Sequence, residues 1–225
     1  MRRTYVIGDI HGCRREFGRL LDLCSAHARG EPARLLTLGD YVDRGPDSFG
    51  VVQLLRRRLA AEYPVFASVV ALKGNHEFMM AEAALGADCR AKEDWVSGDN
   101  GGSATVESYP DLETLRDDAR WLGDLPTSFE DALRYYVHAG VRPGVPLKDQ
   151  TDADRLWIRS AFLRHRARYE KYVVHGHTPV EKPDLRPNRI NLDTALVYGG
   201  RLTAAVFDDT SVEPIDVLQV RSGGR

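Results

Sequence analysis

Five short segments of this sequence end in side chains able to hold a metal ion or a charge. They are Asp9 and His11 after Gly8; Asp40, Asp43 and Arg44 between Gly39 and Gly45; Asn75, His76 and Glu77 after Gly74; His138; and His175 with His177. Each follows an apolar run that reads as a strand. One polar strand end is ordinary, but five at the same end of their strands converge on one rim, where open α/β sheets bind ligands. Carboxylate, amide and imidazole donors without thiolate suit Mn²⁺, Fe²⁺ or Zn²⁺ and argue against a cysteine-type structural zinc site. A carboxylate can bridge two such ions about 3.5–4 Å apart, an arrangement that serves phosphoester hydrolysis. Two divalent ions bring about +4 and the anionic ligands Asp9 and Asp40 remove about 2 of it. The surplus attracts a phosphate dianion and acidifies a bound water.

The elements that must position these residues follow from periodicity. Thr4 to Ile7 is a short β-type run. Phe17, Leu20, Leu21 and Cys24 then recur at i, i+3, i+4 and i+7, which marks an amphipathic helix. Leu35 to Leu38 and Val65 to Leu72 read as further strands, separated by a helix from about Asp47 to Glu62. The N-terminal third is therefore βαβαβ, with parallel strands and right-handed crossovers. A helix beginning near Phe78 follows. The polar stretch from Cys89 to Asp124 then predicts helices and loops capping one side of a site. Tyr135 to Val137 and Tyr172 to Val174 are strands, with a helix expected over Leu156 to Arg168. Arg189 to Leu192, Leu202 to Phe207 and Val217 to Val220 complete a strand-rich C-terminal half, where Tyr198-Gly199-Gly200 suggests a hairpin turn.

Composition bounds the class. The 225 residues, 43% hydrophobic and 28% charged, are ordinary for a globular chain. They suit a single domain over residues 1–221, with a cap-like segment at about 86–126 and a disordered tail at 222–225. The formal net charge of −2 gives no reason to expect nucleic acid or an anionic membrane surface as a partner. No apolar run approaches the roughly 20 residues that cross a bilayer. Cys13, Cys24 and Cys89 are odd in number and lack CxxC spacing, so a reducing cytoplasm is the expected setting. Arg56-Arg57-Arg58 and the run Arg164 to Arg168 read as solvated helix faces. Trp95, Trp121 and Trp157 read as packing anchors, and Asn100-Gly101-Gly102 as a turn.

Gly8-Asp9-Ile10-His11-Gly12, Gly39-Asp40-Tyr41-Val42-Asp43-Arg44-Gly45 and Gly74-Asn75-His76-Glu77 resemble the three signature motifs of the phosphoprotein phosphatase (PPP) family of calcineurin-like metallophosphoesterases. His138-Ala139-Gly140 and Gly176-His177-Thr178 resemble that family's later histidine motifs. Leu156-Trp157-Ile158-Arg159 and Asn191-Leu192-Asp193-Thr194 look like its bacterial branch. The resemblance spans roughly residues 5 to 207. Ala139 stands where the family commonly has Gly, and Pro179 where a related class with a GHxH pattern has a further histidine, so His177 fits as the ligand and His175 as a buried neighbour.

The resemblance implies a four-layer α/β/β/α sandwich of two mixed sheets flanked by helices. It also implies two divalent metals, most simply Mn²⁺ with Fe or Zn as alternatives, held by Asp9, His11, Asp40, Asn75, His138 and His177. His76 would be the general acid, oriented by Asp43. Arg44 and Arg159 would clamp phosphate alongside Asn75, with Arg155 as the alternative second arginine. The implied activity is phosphomonoester hydrolysis by a bacterial phosphatase acting on phosphoserine or phosphothreonine. The alternatives are a nucleotide hydrolase such as a symmetrical dinucleoside tetraphosphatase, or a non-catalytic scaffold. His76 and Arg44 weigh against the scaffold, which has no need of a general acid. The expected partner is a phosphorylated protein or a small phosphoester.

Overall fold

A computed structural model of the chain describes residues 3–223. In chain order its strands are β1 (Thr4–Ile7), β2 (Ala33–Thr37), β3 (Phe66–Ala71), β4 (Ser128–Glu130), β5 (Arg134–Val137), β6 (Tyr172–His175), β7 (Asp184–Arg186), β8 (Arg189–Asn191), β9 (Arg201–Phe207) and β10 (Asp216–Arg221). The helices are α1 (Arg14–Ala28), α2 (Ser48–Gln53), α3 (Leu59–Glu62), α4 (Asn75–Leu85), α5 (Cys89–Val96), α6 (Gly102–Ser108), α7 (Leu112–Gly123), α8 (Asp152–Trp157) and α9 (Ser160–Leu163). One sheet has the order β10-β9-β1-β2-β3 and the other β4-β5-β6-β8-β7. β1, β2 and β3 run parallel, as do β5, β6 and β8, while the remaining neighbours pair antiparallel.

Side chains alternate across each strand, so every strand feeds two layers. Val6, Leu36 and Phe207 of the first sheet meet Tyr136, Val174 and Ile190 of the second in a buried seam. Tyr5, Ile7 and Leu35 point the other way and pack with Phe17, Leu20, Val51 and Met80 of the covering helices. Tyr135, Val137 and Val173 face outward from the second sheet, onto Phe162 and Leu147. This is the four-layer α/β/β/α sandwich with two mixed sheets that the motifs implied. Among the described residues no helix is long and apolar enough to cross a membrane.

Several local expectations need correction. The helix from Asp47 to Glu62 contains a π turn at Leu54–Arg58, which periodicity does not distinguish from α. Arg56 is not simply solvated, since its Nη1 donates to Asp117 at 2.7 Å and to buried Asp118 at 2.6 Å on α7. The helix expected over Leu156 to Arg168 is two short helices broken at Ile158 and Arg159. Arg159 has φ −131° and ψ −93°, outside helical space. Gly199-Gly200 closes no hairpin: it follows a 3₁₀ turn at Leu196–Tyr198 on the path from β8 in one sheet to β9 in the other. The hairpin is β9–β10. β4 and β7, three residues each, lie at sheet edges and carry too few residues for a periodic signal. Of the tail expected to be disordered, the backbone amide of Ser222 donates to Gly200 O and that of Gly223 to Glu16 Oε1, while residues 224–225 lie outside the described chain.

Candidate dinuclear metal centre

β1, β2, β3, β5 and β6 all deliver their C-terminal ends to one rim, and each is followed by a turn bearing the polar residues. Those turns are conformationally unusual. Among the described residues seven non-glycine positions have positive φ, and five of them (His11 at 46°, Asp40 at 54°, Asp43 at 72°, Arg44 at 71° and His177 at 68°) belong to this cluster. Each such conformation costs an L-residue roughly 1–2 kcal/mol, so the surroundings must impose it.

Glu77 does much of that. Its buried carboxylate accepts the backbone amides of Asp40 (2.7 Å), Tyr41 (2.7 Å), Val42 (3.3 Å) and Gly74 (2.8 Å), which locks the first turn of α4 onto the Gly39 turn. Two glycines give the clearance. A Cβ on Gly74 would strike Asp40, and one on Gly176 would strike the Asp9 carboxylate. Glu77 was grouped with the charged strand ends from sequence but had no role there. Its role depends on which backbone amides the fold brings to it.

The predicted residues come together. Asn75 Oδ1 lies 2.9 Å from both His138 Nε2 and His177 Nδ1, and Asp40 Oδ1 lies 3.3 Å from His138 Nε2. Asp40 Oδ2 lies 3.5 Å from His11 Nε2. Two trios of convergent donor atoms result, His11–Asp40–His76 and Asp40–His138–His177, and Asp40 is common to both. Asp9 stands beside them, its carboxylate accepting the His177 backbone amide at 3.0 Å. His76 Nδ1 donates to Asp43 Oδ2 at 2.6 Å, and its Nε2 stands 4.0 Å from Asp40. Arg44 Nη1 is 2.7 Å from His11 Nε2, and Arg159 Nε is 3.0 Å from His177 Nε2. Arg155 is turned away, donating to Tyr135 Oη and Asp152. His175 also lies apart, edge-on to Phe162 and 3.1 Å from Arg189 Nη1.

Over the stretch expected to cap the site, α5 and α7 both pack on α4, while α5 and α6 also reach Asp43. Trp95 Nε1 donates to both Asp43 oxygens at 3.0 and 3.1 Å, and Thr105 Oγ1 donates to Asp43 Oδ1 at 2.7 Å. Gly101 O accepts the Arg44 amide. Trp95 is thus more than a packing anchor and Asn100-Gly101-Gly102 more than a turn. Asp193, buried beside Asp9, lies in the Asn191–Thr194 stretch that the resemblance includes, but the sequence alone assigns it no role.

The charge state of the cluster tests whether cations fit. Burial lowers His11 to about 3, and also lowers His138 and His177, so all three imidazoles are neutral and offer lone pairs. His11 Nδ1 donates to Val42 O and His138 Nδ1 to Leu38 O, which leaves each Nε2 without a hydrogen and facing Asp40, with Arg44 Nη1 also beside that of His11. Lone pairs facing carboxylate oxygens repel unless a cation lies between them. Burial raises Asp40, but the histidines packed around it, with His76 the one that retains its proton, outweigh that and hold the carboxyl well below its ordinary range. Burial and then neighbouring negative charge push Asp9 well above its ordinary value. Burial pushes Glu77 to about 7 and Asp193 to about 6. For His76, burial lowers the imidazole, yet Asp40 and Asp43 prevail and raise it. Buried carboxylates and imidazole lone pairs that converge on Asp40 fit a pair of divalent cations.

The calcineurin-like phosphoesterase family model matches residues 2–207. The chain belongs to this family. Over 91% of its length this phosphoesterase is 30% identical to the asymmetrical bis(5'-nucleosyl)-tetraphosphatase PrpE of Geobacillus thermodenitrificans, covering 90% of that protein. It is 29% identical to serine/threonine-protein phosphatase 1 of Salmonella typhimurium, with 91% of each chain covered. Among solved structures it resembles a candidate diadenosine tetraphosphatase (TM-score 0.70, 24% identity, 100% and 95% of the two chains). It also resembles a serine/threonine phosphatase from Saccharomyces cerevisiae (TM-score 0.62, 16% identity, 100% and 80%). The chain is a phosphoester hydrolase with a dinuclear-type histidine and aspartate site.

Proposed function

We propose that this phosphoesterase hydrolyses a phosphoester or phosphoanhydride bond of a phosphate group bound between Arg44 and Arg159. Asp9, His11, Asp40, Asn75, His138 and His177 would hold two divalent ions, Mn²⁺ first, with Fe or Zn as alternatives. Once bound, such a pair supplies positive charge for the phosphate oxygens and a water nucleophile of lowered pKa. The observation that supports this most is the His76–Asp43 pair at 2.6 Å, aimed through His76 Nε2 at the Asp40 cluster. Asp43 fixes the ring, leaving Nε2 to carry a proton toward the departing oxygen. Arg44 and Arg159, each beside a histidine of a different donor trio, offer planar forks to phosphate oxygens.

The substrate is proposed to be a nucleoside polyphosphate. The site opens into a cavity of about 350 Å³ lined by His11, Arg44, Arg159, His177 and Asp193, with the Ala195 to Tyr198 turn. That volume suits a small-molecule end, and the tetraphosphatase named above is a nucleotide enzyme. Phosphoserine or phosphothreonine hydrolysis is the second reading, favoured by near-equal identity to the Salmonella phosphatase. The test compares Mn²⁺-loaded protein on p-nitrophenyl phosphate, diadenosine tetraphosphate and a phosphoserine peptide, with and without chelator. Chelation abolishes activity and the dinucleotide is the best substrate. Metal-loaded protein inert on all three contradicts the hydrolytic assignment, and preference for the peptide selects the second reading.

A further inference from the structure

We infer that Tyr198 and Trp157 form an aromatic subsite for the nucleobase of the substrate, an inference that rests on the nucleotide reading above. Two large exposed rings stand near the charged cavity, Tyr198 as part of its lining and Trp157 beside its His177. Tyr198 is 63% exposed and Trp157 43% exposed. Neither is a stray surface residue. The Arg44 guanidinium sits over the Tyr198 ring, 5.8 Å from its centre. Trp157 stands edge-on to His177, ring centres 6.5 Å apart, two residues before Arg159. One exposed ring thus lies under Arg44, and the other stands beside the histidine that Arg159 contacts.

The turn that presents Tyr198 is built to do so. Ala195 (φ 59°) and Gly199 (φ 89°) are both left-handed and bracket the 3₁₀ turn. Ala195 O accepts the amides of Tyr198 at 3.0 Å and Gly200 at 2.9 Å, while Leu196 is buried beneath. A strained, fully bonded turn thereby buries Leu196 and holds the tyrosine outward. Arginine forks and metals suffice for a bare phosphate or a phosphoserine. Exposed rings beside them add a π surface that a base can use, and stacking on aromatic faces tolerates any base. A phosphotyrosine ring, one oxygen from phosphorus, is the competing occupant, and the test distinguishes it from a nucleobase.

The test measures equilibrium binding of AMP and of inorganic phosphate to the Mn²⁺-loaded full-length chain by calorimetry, so that no turnover is needed. Wild type binds AMP more tightly than phosphate. Tyr198→Ala and Trp157→Ala each lower the AMP-to-phosphate affinity ratio roughly 10-fold, the size expected for one lost base stack. Tyr198→Phe, which keeps the ring, retains the wild-type ratio. The kcat/KM for diadenosine tetraphosphate falls in parallel. An unchanged ratio, equal weakening of both ligands, or a loss confined to a phosphotyrosine peptide overturns the subsite. If circular dichroism shows Trp157→Ala unfolded, the Tyr198 pair decides, since that ring covers little of the core. Wild type that turns over no phosphoester contradicts the hydrolytic assignment instead, and the binding ratio still reports on the rings.

Discussion

At the scale of single residues, Glu77 decides whether the catalytic turn exists. Its two oxygens satisfy four backbone amides that would otherwise be buried without partners. Glu77→Ala removes those acceptors. It should lower unfolding free energy by about 3 kcal/mol or more in urea titration, because each orphaned amide costs on the order of 1 kcal/mol. The same variant should lose metal affinity, since the positive φ of Asp40 is no longer enforced. A variant as stable as wild type would show that the turn holds its shape without Glu77. Residue identity and spacing made Asp9, His11, Asp40, Asn75, His76, His138 and His177 legible, because chemistry demands those types just after strands. They could not show that Glu77 grips backbone or that Asp193 is buried beside Asp9. Those facts depend on which distant main-chain groups and side chains the two sheets bring together.

The cap helices contribute at the scale of elements. α5 and α6 place one indole and one hydroxyl on Asp43, so three donors, with His76, converge on a carboxylate without solvent exposure. Trp95→Phe keeps an aromatic ring, though a smaller one, and removes the N–H, loosening the group that orients His76. A general acid matters most when the leaving group is poor. Turnover of an alkyl phosphate should therefore fall about 10-fold and that of p-nitrophenyl phosphate much less, with metal content unchanged. Equal losses on both substrates would mean that Trp95 supports the fold rather than the acid. The weak periodicity of this polar stretch gave no sign that Trp95 and Thr105 meet Asp43. The break between α8 and α9 was equally hidden, because Ile158 and Arg159 are compatible with a helix. Tertiary contact of Arg159 with His177 accompanies the break.

At the scale of the whole molecule, alternation within each strand is what allows two sheets to share one seam while helices cover both outer faces. Phe207 spans that seam, fully buried, edge-on to Tyr136 and beneath the Arg134 guanidinium at 4.5 Å. Phe207→Ala should cost about 3–5 kcal/mol, read as a lowered urea midpoint with an unchanged slope. A cost below about 1 kcal/mol would contradict a close-packed seam there. The parallel βαβαβ unit was readable from its periodicity. The second sheet was less so, because its short edge strands and its crossover through Gly199 look like hairpins when only neighbours in sequence are considered.

The central claim is that one cluster contains two kinds of group, metal ligands that share Asp40 and a separate acid at His76. Metal content and turnover measured together on His76→Asn and Asp40→Asn test it most directly. His76→Asn should retain about two metal ions per chain while turnover falls roughly 10²–10⁴-fold. Asp40→Asn should lose metal as well as activity. Equal metal loss in the two variants, or full metal content in Asp40→Asn, would contradict the assignment.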